Sequence, residues 1–308
     1  MGRKRRGRSI HGWLAVDKPA GMTSAAVVSA VRRATDAAKA GHGGTLDPLA
    51  TGVLPIALGE ATKTVAYVLD GDKVYQFTVR WGEARDTDDA EGEVVATSAV
   101  RPTEEDIRAV LPRFVGDIEQ VPPIYSAVKV EGRRAYDLAR ANVAVALEPR
   151  IVRIDRLELI DMPDQDQAVF EARAGKGAYM RGLARDVATA VGTVGHIAAL
   201  RRTAVGPFHE DQAISLELLD DLGHSAALAH HVLPVEAALA DIPALALTEA
   251  EGRRLQHGQP VAALPVANRT PLTHASKGTV VCAMAQGKPI ALAQIKGGEI
   301  RPVRVLNL

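Results

Sequence analysis

The chain has one cysteine, no long apolar run and no excess of charge of either sign. Cys282 alone can neither close an internal disulfide nor build a structural zinc site, which points to a reducing compartment. No stretch of about eighteen uncharged apolar residues occurs, so no membrane-spanning helix is expected. The basic start, Met1-Gly-Arg-Lys-Arg-Arg-Gly-Arg-Ser9, runs straight into His11-Gly12-Trp13 instead of an apolar stretch, so a secretory signal is not expected. A cytoplasmic protein is the expectation.

Cofactor signatures are missing too. Gly41-x-Gly43 is followed by Leu46 where a dinucleotide fingerprint needs glycine or alanine. Gly59-Glu-Ala-Thr-Lys63-Thr64 lacks the glycine that precedes the lysine of a phosphate-binding P-loop. The nine histidines form no HExxH, and Asp86-Thr-Asp-Asp-Ala-Glu91 breaks the calcium-loop pattern at Ala90. Neither a nucleotide cofactor nor a metal is expected.

What is present suffices for one large domain and a small one: 308 residues, 47% of them hydrophobic. The 37 basic and 37 acidic residues balance, but they are unevenly spread. Residues 211–242 hold six acids and no Lys or Arg, whereas residues 243–308 hold eight bases and three acids, a net of +5. A basic tail and a basic N-terminal arm suit a polyanionic partner, although short basic segments are also ordinary solvated surface.

Residues 13–16 read as a short apolar strand ending in the turn Asp17-Lys18-Pro19-Ala20-Gly21. Thr23 or Ser24 can cap a helix whose Val27, Val28 and Val31 recur at helical spacing. Residues 75–81 alternate with period two, which puts Tyr75, Phe77, Val79 and Trp81 on one face of a strand. Thr103 and Asp106 read as the cap of a helix ending near Pro112. Further strands are predicted at 127–130, 151–160 and 168–174, and Leu183, Val187 and Val191 mark a helix. Strands and helices do not alternate regularly, which predicts an α+β fold with a mainly antiparallel mixed sheet flanked by helices. A boundary falls at 240–243, where the acidic segment gives way to the basic one. Beyond it the tail reads as a helix at 248–256, strands at 279–285, 289–294 and 301–306, and a loop over 261–277.

The most unusual segment is Gly41-His-Gly-Gly-Thr-Leu-Asp47-Pro-Leu-Ala-Thr-Gly52-Val-Leu-Pro-Ile-Ala-Leu-Gly59. Its glycines allow positive φ and close approach to a ligand, and proline restricts the residue before it, so the Asp47 carboxylate sits on a constrained loop. On the residues alone, an aspartate such as Asp47 is more often a turn residue than a catalyst.

Five segments in order resemble the TruB family of tRNA pseudouridine-55 synthases. They are Val16-Asp-Lys-Pro-Ala-Gly-Met-Thr-Ser24, Gly41 to Gly59 continued by Glu60-Ala-Thr-Lys63, Tyr125-Ser-Ala-Val-Lys129, Lys176-Gly-Ala-Tyr179-Met-Arg181 and Leu200-Arg-Arg-Thr203. The likeness runs from about Gly12 to Leu219, and the tail resembles the family's PUA-type RNA-binding module. One departure is Gly43, where the family more often carries Thr or Ala; it is expected to loosen the loop without removing a reactive group.

The resemblance implies a pseudouridine synthase fold with a small C-terminal β-rich PUA-like domain. It divides the chain into a basic N-terminal arm (1–10), a catalytic domain (11–242) and a PUA-like RNA-binding domain (243–308). The implied reaction isomerises uridine 55 of the tRNA T-loop without cofactor: the N1–C1′ bond breaks, the uracil rotates, and C5 joins C1′. As in glycosidases, a carboxylate must stand beside a sugar carbon that gains positive character. Uracil can leave as a delocalised anion, so one carboxylate can suffice.

Asp47 matches the catalytic aspartate, as a nucleophile at C1′ or a base at C2′. Arg181 matches the arginine that pairs with it and keeps it ionised. Tyr75 matches the tyrosine that stacks on the flipped base, Tyr179 and Leu200 match further pocket positions, and His42 matches a histidine that holds the nucleotide out of the stack. Lys18 and Pro19 match a Lys-Pro motif that supports the loop, while Lys129 suits either a phosphate contact or a strand end. The expected partner is the tRNA T-arm, bound in a salt-sensitive way by a monomer with no membrane attachment. Two rivals stand beside this reading. A glycoside or nucleoside hydrolase would need a second carboxylate, for which only Asp86 to Asp89 offer themselves. A non-catalytic RNA-binding or folding protein on the same scaffold would not need Asp47.

Overall fold

Neighbouring residues of a strand point to opposite sides of a sheet, so an apolar run without alternation implies burial on both faces. The run at 13–16 behaves this way in the computed structural model, which describes residues 7–308 apart from 127, 131, 142, 144, 145, 224 and 271–278. It lies in β1 (Gly12–Lys18), whose Leu14 and Val16 enter one core cluster and whose Trp13 and Ala15 enter another. Helix α1 (Ser24–Thr35) follows, capped by the Thr23 hydroxyl accepting from the Ala26 N–H, with Val27 and Val31 buried. A short β2 (Ala40–His42) leads through the glycine-rich loop to β3 (Thr51–Leu58). β3 pairs antiparallel with β1 and divides in the same way, Leu54, Ile56 and Leu58 to one side, Val53 and Ala57 to the other. After α2 (Val65–Asp70) comes β4 (Lys73–Trp81), where Phe77, Val79 and Trp81 are buried and Gln76 and Arg80 exposed, as its alternation predicts.

The chain continues through α3 (Glu104–Val110), β5 (Gly116–Gln120), β6 (Arg150–Asp164), β7 (Gln167–Ala174), α4 (Met180–Ala190), β8 (Gly195–Val205) and β9 (Ile214–Ser215). Thr103 and Asp106 cap α3 reciprocally, as expected. The strands join in the order β9-β1-β3-β8-β4-β7-β6-β5, with β2 beside β3. Only β1 with β9 and β3 with β8 run parallel along this path, so the sheet is mixed and mainly antiparallel. β3 and β8, which flank the loop of Asp47, are central strands and therefore rigid carriers for a site. The strand predicted at 127–130 is shorter, Lys129–Val130; Ala127 and the Lys129 side chain lie outside the described residues, as do residues 1–6 of the basic arm.

A second sheet is built by the tail: β10 (Ala244–Ala246), β11 (Val261–Ala262), β12 (Val280–Ala285), β13 (Lys288–Lys296) and β14 (Glu299–Val305), in the order β10-β12-β13-β14-β11. Helix α5 (Glu249–Gln256) packs on it. The loop predicted over 261–277 is not all loop. β11 is followed by a short helix, Ala263–Ala267, because Pro265 falls in the first turn, where its missing N–H costs nothing, and Ala263 and Val266 are buried. Residues 271–278 lie outside the described residues.

The Glu60-Ala-Thr-Lys63 motif clasps this tail to the large sheet. Lys63 Nζ donates to the Val305 carbonyl at 2.7 Å, and the Glu60 carboxylate accepts from the Asn307 N–H at 2.8 Å. Between these bonds Leu306 is buried in the cluster of Trp13, Val53 and Phe208. Cys282 and Leu292 pack with Leu239 beside it, and burial pushes the Cys282 thiol up to about 11, so it behaves as a small apolar group. Leu306→Ala is expected to destabilise the chain by about 2–5 kcal/mol in urea unfolding. Leu264→Ala, at a residue 74% exposed, should stay within about 0.5 kcal/mol.

Candidate active site

A loop that carries a reactive group must satisfy its own backbone without regular structure to help it. Here side chains do that work. The Lys18 ammonium, with no exposed surface, donates to the carbonyls of Pro19, Pro48 and Ala50 at 2.8, 3.0 and 2.6 Å. The Gly21 N–H also reaches the Pro48 carbonyl, which docks the Asp17 to Gly21 turn onto the Asp47-Pro48 turn. The Ser24 hydroxyl donates to the Leu46 carbonyl and accepts from the Leu46 N–H. Burial lowers the Lys18 ammonium to about 8, against the opposing pull of the Asp47 carboxylate.

Gly43 and Gly52 are needed for different reasons. A Cβ at Gly43 would lie 2.8 Å from Val68 Cγ1 and 3.3 Å from the Trp13 ring. The expectation of a looser loop is therefore corrected: large neighbours fill the space, and the Gly43 N–H is bonded to the Pro55 carbonyl at 2.7 Å. Gly52 has φ +97°, and an added Cβ would collide with the backbone of Arg202 on β8.

Between these anchors Asp47 projects its carboxylate, 35% exposed, toward α4. Arg181 in the first turn of α4 donates from Nε to Asp47 Oδ2 at 2.9 Å. Its other nitrogens donate to the Thr87 carbonyl at 2.9 Å and the Tyr125 carbonyl at 2.8 Å, so all three are used and the fork cannot swing. Arg181 is 4% exposed, which makes the pair buried on the arginine side and open on the aspartate side.

Asp89 is a second carboxylate at this centre, 3.6 Å from Arg181 Nε. It bears on the hydrolase rival. Its Oδ1 accepts from the Thr87 hydroxyl and the Glu91 N–H, Oδ2 faces Arg181, and the residue is 4% exposed. Neither oxygen is turned toward solvent as a general acid requires. Arg185, one turn beyond Arg181, pairs with Asp88 at 2.7 Å and Asp186 at 3.0 Å, so the two arginines each have their own carboxylates.

The other candidates surround this pair. Tyr179 precedes α4, and the Gln120 side chain bonds both its N–H and its carbonyl, at 2.8 and 3.1 Å. Burial raises the Tyr179 phenol, with Asp47 adding to the effect, so it stays a neutral hydrogen-bonding tip. Tyr75 and Arg202 are direct cross-strand partners on β4 and β8, as are Phe77 and Leu200 two residues along. Leu200 is 7% exposed. His42 ends β2 at the start of the loop; burial, and then Arg202, lowers its ring pKa, and its buried Nδ1 has no hydrogen-bond partner among the described residues. It is a neutral imidazole at neutral pH. Among the described residues no three His, Cys, Asp or Glu side chains converge as a metal site. Gln120 and Arg202 had no role assigned from sequence, and Asp89 stood only within the Asp86 to Asp89 run of the hydrolase rival. The side chains of Gln120 and Arg202 bond backbone atoms 59 to 158 residues away, which no local pattern reveals.

Residues 32–180 match the N-terminal domain of TruB family pseudouridylate synthases, and residues 181–240 match the tRNA pseudouridylate synthase B C-terminal domain. A protein of Rhodospirillum rubrum named tRNA pseudouridine synthase B is 63% identical over 308 residues, 100% of both chains. One of the same name from Gluconacetobacter diazotrophicus is 56% identical, covering 99% of this chain and 100% of its own. A solved Cbf5-Nop10-Gar1 complex contains a chain similar to this one with TM-score 0.74 and 26% identity, covering 96% of this chain and 85% of that one. Identity this high over the whole length leaves one conclusion: the chain belongs to the TruB family of pseudouridylate synthases.

Proposed function

We propose that this tRNA pseudouridine synthase acts on uridine 55 of the T-loop, with Asp47 as the carboxylate that opens the N-glycosidic bond. The observation that carries the reading is the half-open pair: Arg181 holds Oδ2, and the rest of the Asp47 carboxylate faces solvent. That leaves Oδ1 for the ribose, either as a nucleophile at C1′ or as a base at C2′. Uracil leaves with the electrons of the N1–C1′ bond and turns. Its C5 then bonds to C1′, C5 gives up its proton to solvent, and N1 takes one up. Atoms and electrons balance without an added reactant.

In this reading Tyr75 stacks on the flipped base, and Leu200 and Tyr179 close the pocket around it. His42, neutral through burial, suits a position among bases better than a cation would. The catalytic domain spans 11–242, and 243–308 is a PUA-like RNA-binding domain. The three acids of the tail each pair with an arginine: Glu249 with Arg253, Glu251 with Arg269, Glu299 with Arg301. Arg254, Lys288, Lys296 and Arg304 have no ion-pair partner among the described residues, and they suit phosphate contacts. We place the enzyme in the cytoplasm and expect it to act as a monomer.

Incubation with unmodified tRNA transcript, without metal or nucleotide, should produce a carbodiimide-dependent primer-extension stop in the T-loop, and Asp47→Ala should produce none. Free uracil instead of a stop would mean a hydrolase. Salt-sensitive tRNA binding with no stop from either protein would favour the RNA-binding scaffold.

The Lys18 ammonium predicts the alkaline limb. Three donated bonds need three N–H groups, and the neutral amine has two, so the loop loses an anchor as pH rises through about 8. The single-turnover rate should fall there. The native state sheds this proton before the unfolded chain does, whose lysine titrates near 10.5, so this group's contribution to stability rises between those values. A rate limb near about pH 8 without a loss of melting temperature is the expected outcome; a flat rate to about pH 9.5 would contradict it.

A further inference from the structure

Arg202 is a fully buried cation without a carboxylate partner. It is 1% exposed, and none of the ion pairs among the described residues includes it. Burial opposes its charge, and such a group persists only where its hydrogen bonds repay the loss of water. All three guanidinium nitrogens are engaged, each by a main-chain carbonyl: Nε by Val53 at 2.9 Å, Nη1 by Thr45 at 3.3 Å, and Nη2 by Gly44 at 3.1 Å. Those carbonyls lie on both sides of Asp47. The backbone of Arg202 is also the register partner of Gly52, where only glycine fits. One residue therefore grips positions 44 and 45 before the aspartate and 52 and 53 after it.

The same side chain reaches a second part of the site. Tyr75 is its cross-strand partner on β4, so the two side chains leave the same face of the sheet next to each other, with the Tyr75 hydroxyl in electrostatic reach of the guanidinium. Leu200 lies two residues earlier on the same strand and shares that face. Arginine is required because a planar fork addresses three acceptors at fixed angles, which an ammonium at the end of a flexible chain does not.

We propose that Arg202 is the positioning residue of the active site, fixing the Asp47 loop at both ends and tying it to the base-holding Tyr75. The proposal rests on the reading of Asp47 as the catalytic carboxylate. Arg202 touches no substrate in this account. It acts by keeping the carboxylate and the stacking ring in register, so its loss leaves tRNA affinity in place and slows the chemical step.

The test uses the full chain and tRNA transcript labelled with tritium at uridine C5, with enzyme in excess and tritium release followed in time. Arg202→Lys keeps the charge and Arg202→Met removes it; Asp47→Ala runs beside them. The expected result for the lysine variant is a rate constant lowered about 100-fold, the scale of loss for a misplaced reacting group. Its filter-binding Kd for tRNA should stay within about threefold, and the methionine variant should be slower still. Amplitude separates folding from positioning, because a variant that merely folds less well releases less tritium at an unchanged rate constant. An unchanged rate constant in the folded fraction overturns the proposal, and so does a loss of tRNA binding equal to the loss of rate. Activity in Asp47→Ala would instead remove the catalytic reading of Asp47, whatever the Arg202 variants do.

Discussion

The structure depends on how the carbonyls of one loop are satisfied. From Gly44 to Ala50 the chain lies in no strand or helix, and a buried carbonyl without a donor is costly. Arg202 supplies donors for 44, 45 and 53, Ser24 for 46, and Lys18 for 48 and 50. Two of these donors are cations, whose hydrogen bonds are stronger than neutral ones. Three anchors come from three elements, β1, α1 and β8, so no single element can shift without disturbing Asp47. The Asp47 carboxylate itself stays partly open to solvent.

Those anchors hold still because the strands that bear them are buried on both faces. β1 and β3 contribute alternate residues to two clusters, and the second cluster is completed by Leu306 at the far end of the chain. The Glu60 and Lys63 contacts to the last residues lie just after β3. Glu60 and Lys63 thus serve to join the tail to the strand that supports the loop.

Electrostatics divides the site into a closed side and an open one. Arg181 sits between Asp47 and Asp89, with its remaining donors spent on the carbonyls of Thr87 and Tyr125. Asp89 faces inward with its oxygens occupied, and Asp47 faces outward with one free. Two carboxylates on one arginine thereby take different parts, one buried and structural, the other open to solvent. The tail is arranged by similar pairing, since its three acids are taken up by arginines while Arg254, Lys288, Lys296 and Arg304 are exposed.

Periodicity in the sequence determined β4, α1 and α3, because alternation at 75–81, the spacing of Val27 and Val31, and the Thr103/Asp106 cap are local physical requirements. The unalternating run at 13–16 likewise determined a strand, though not that it would be buried on both sides. Motif resemblance pointed to Asp47, Arg181, Tyr75, Tyr179, Leu200 and His42 by residue type. It gave no role to Arg202, Gln120 or Asp89, and the first part of the predicted loop, 261–267, was misread because Pro265 looks like a loop residue until its place in a first turn is known. Only the tertiary structure decided which cations hold the loop and why Gly43 fits against Trp13 and Val68. The physical reason is that the partners are backbone carbonyls and packing surfaces brought together from up to 158 residues apart. Every residue type carries the same carbonyl, so nothing in the order of side chains records which ones a buried arginine will find.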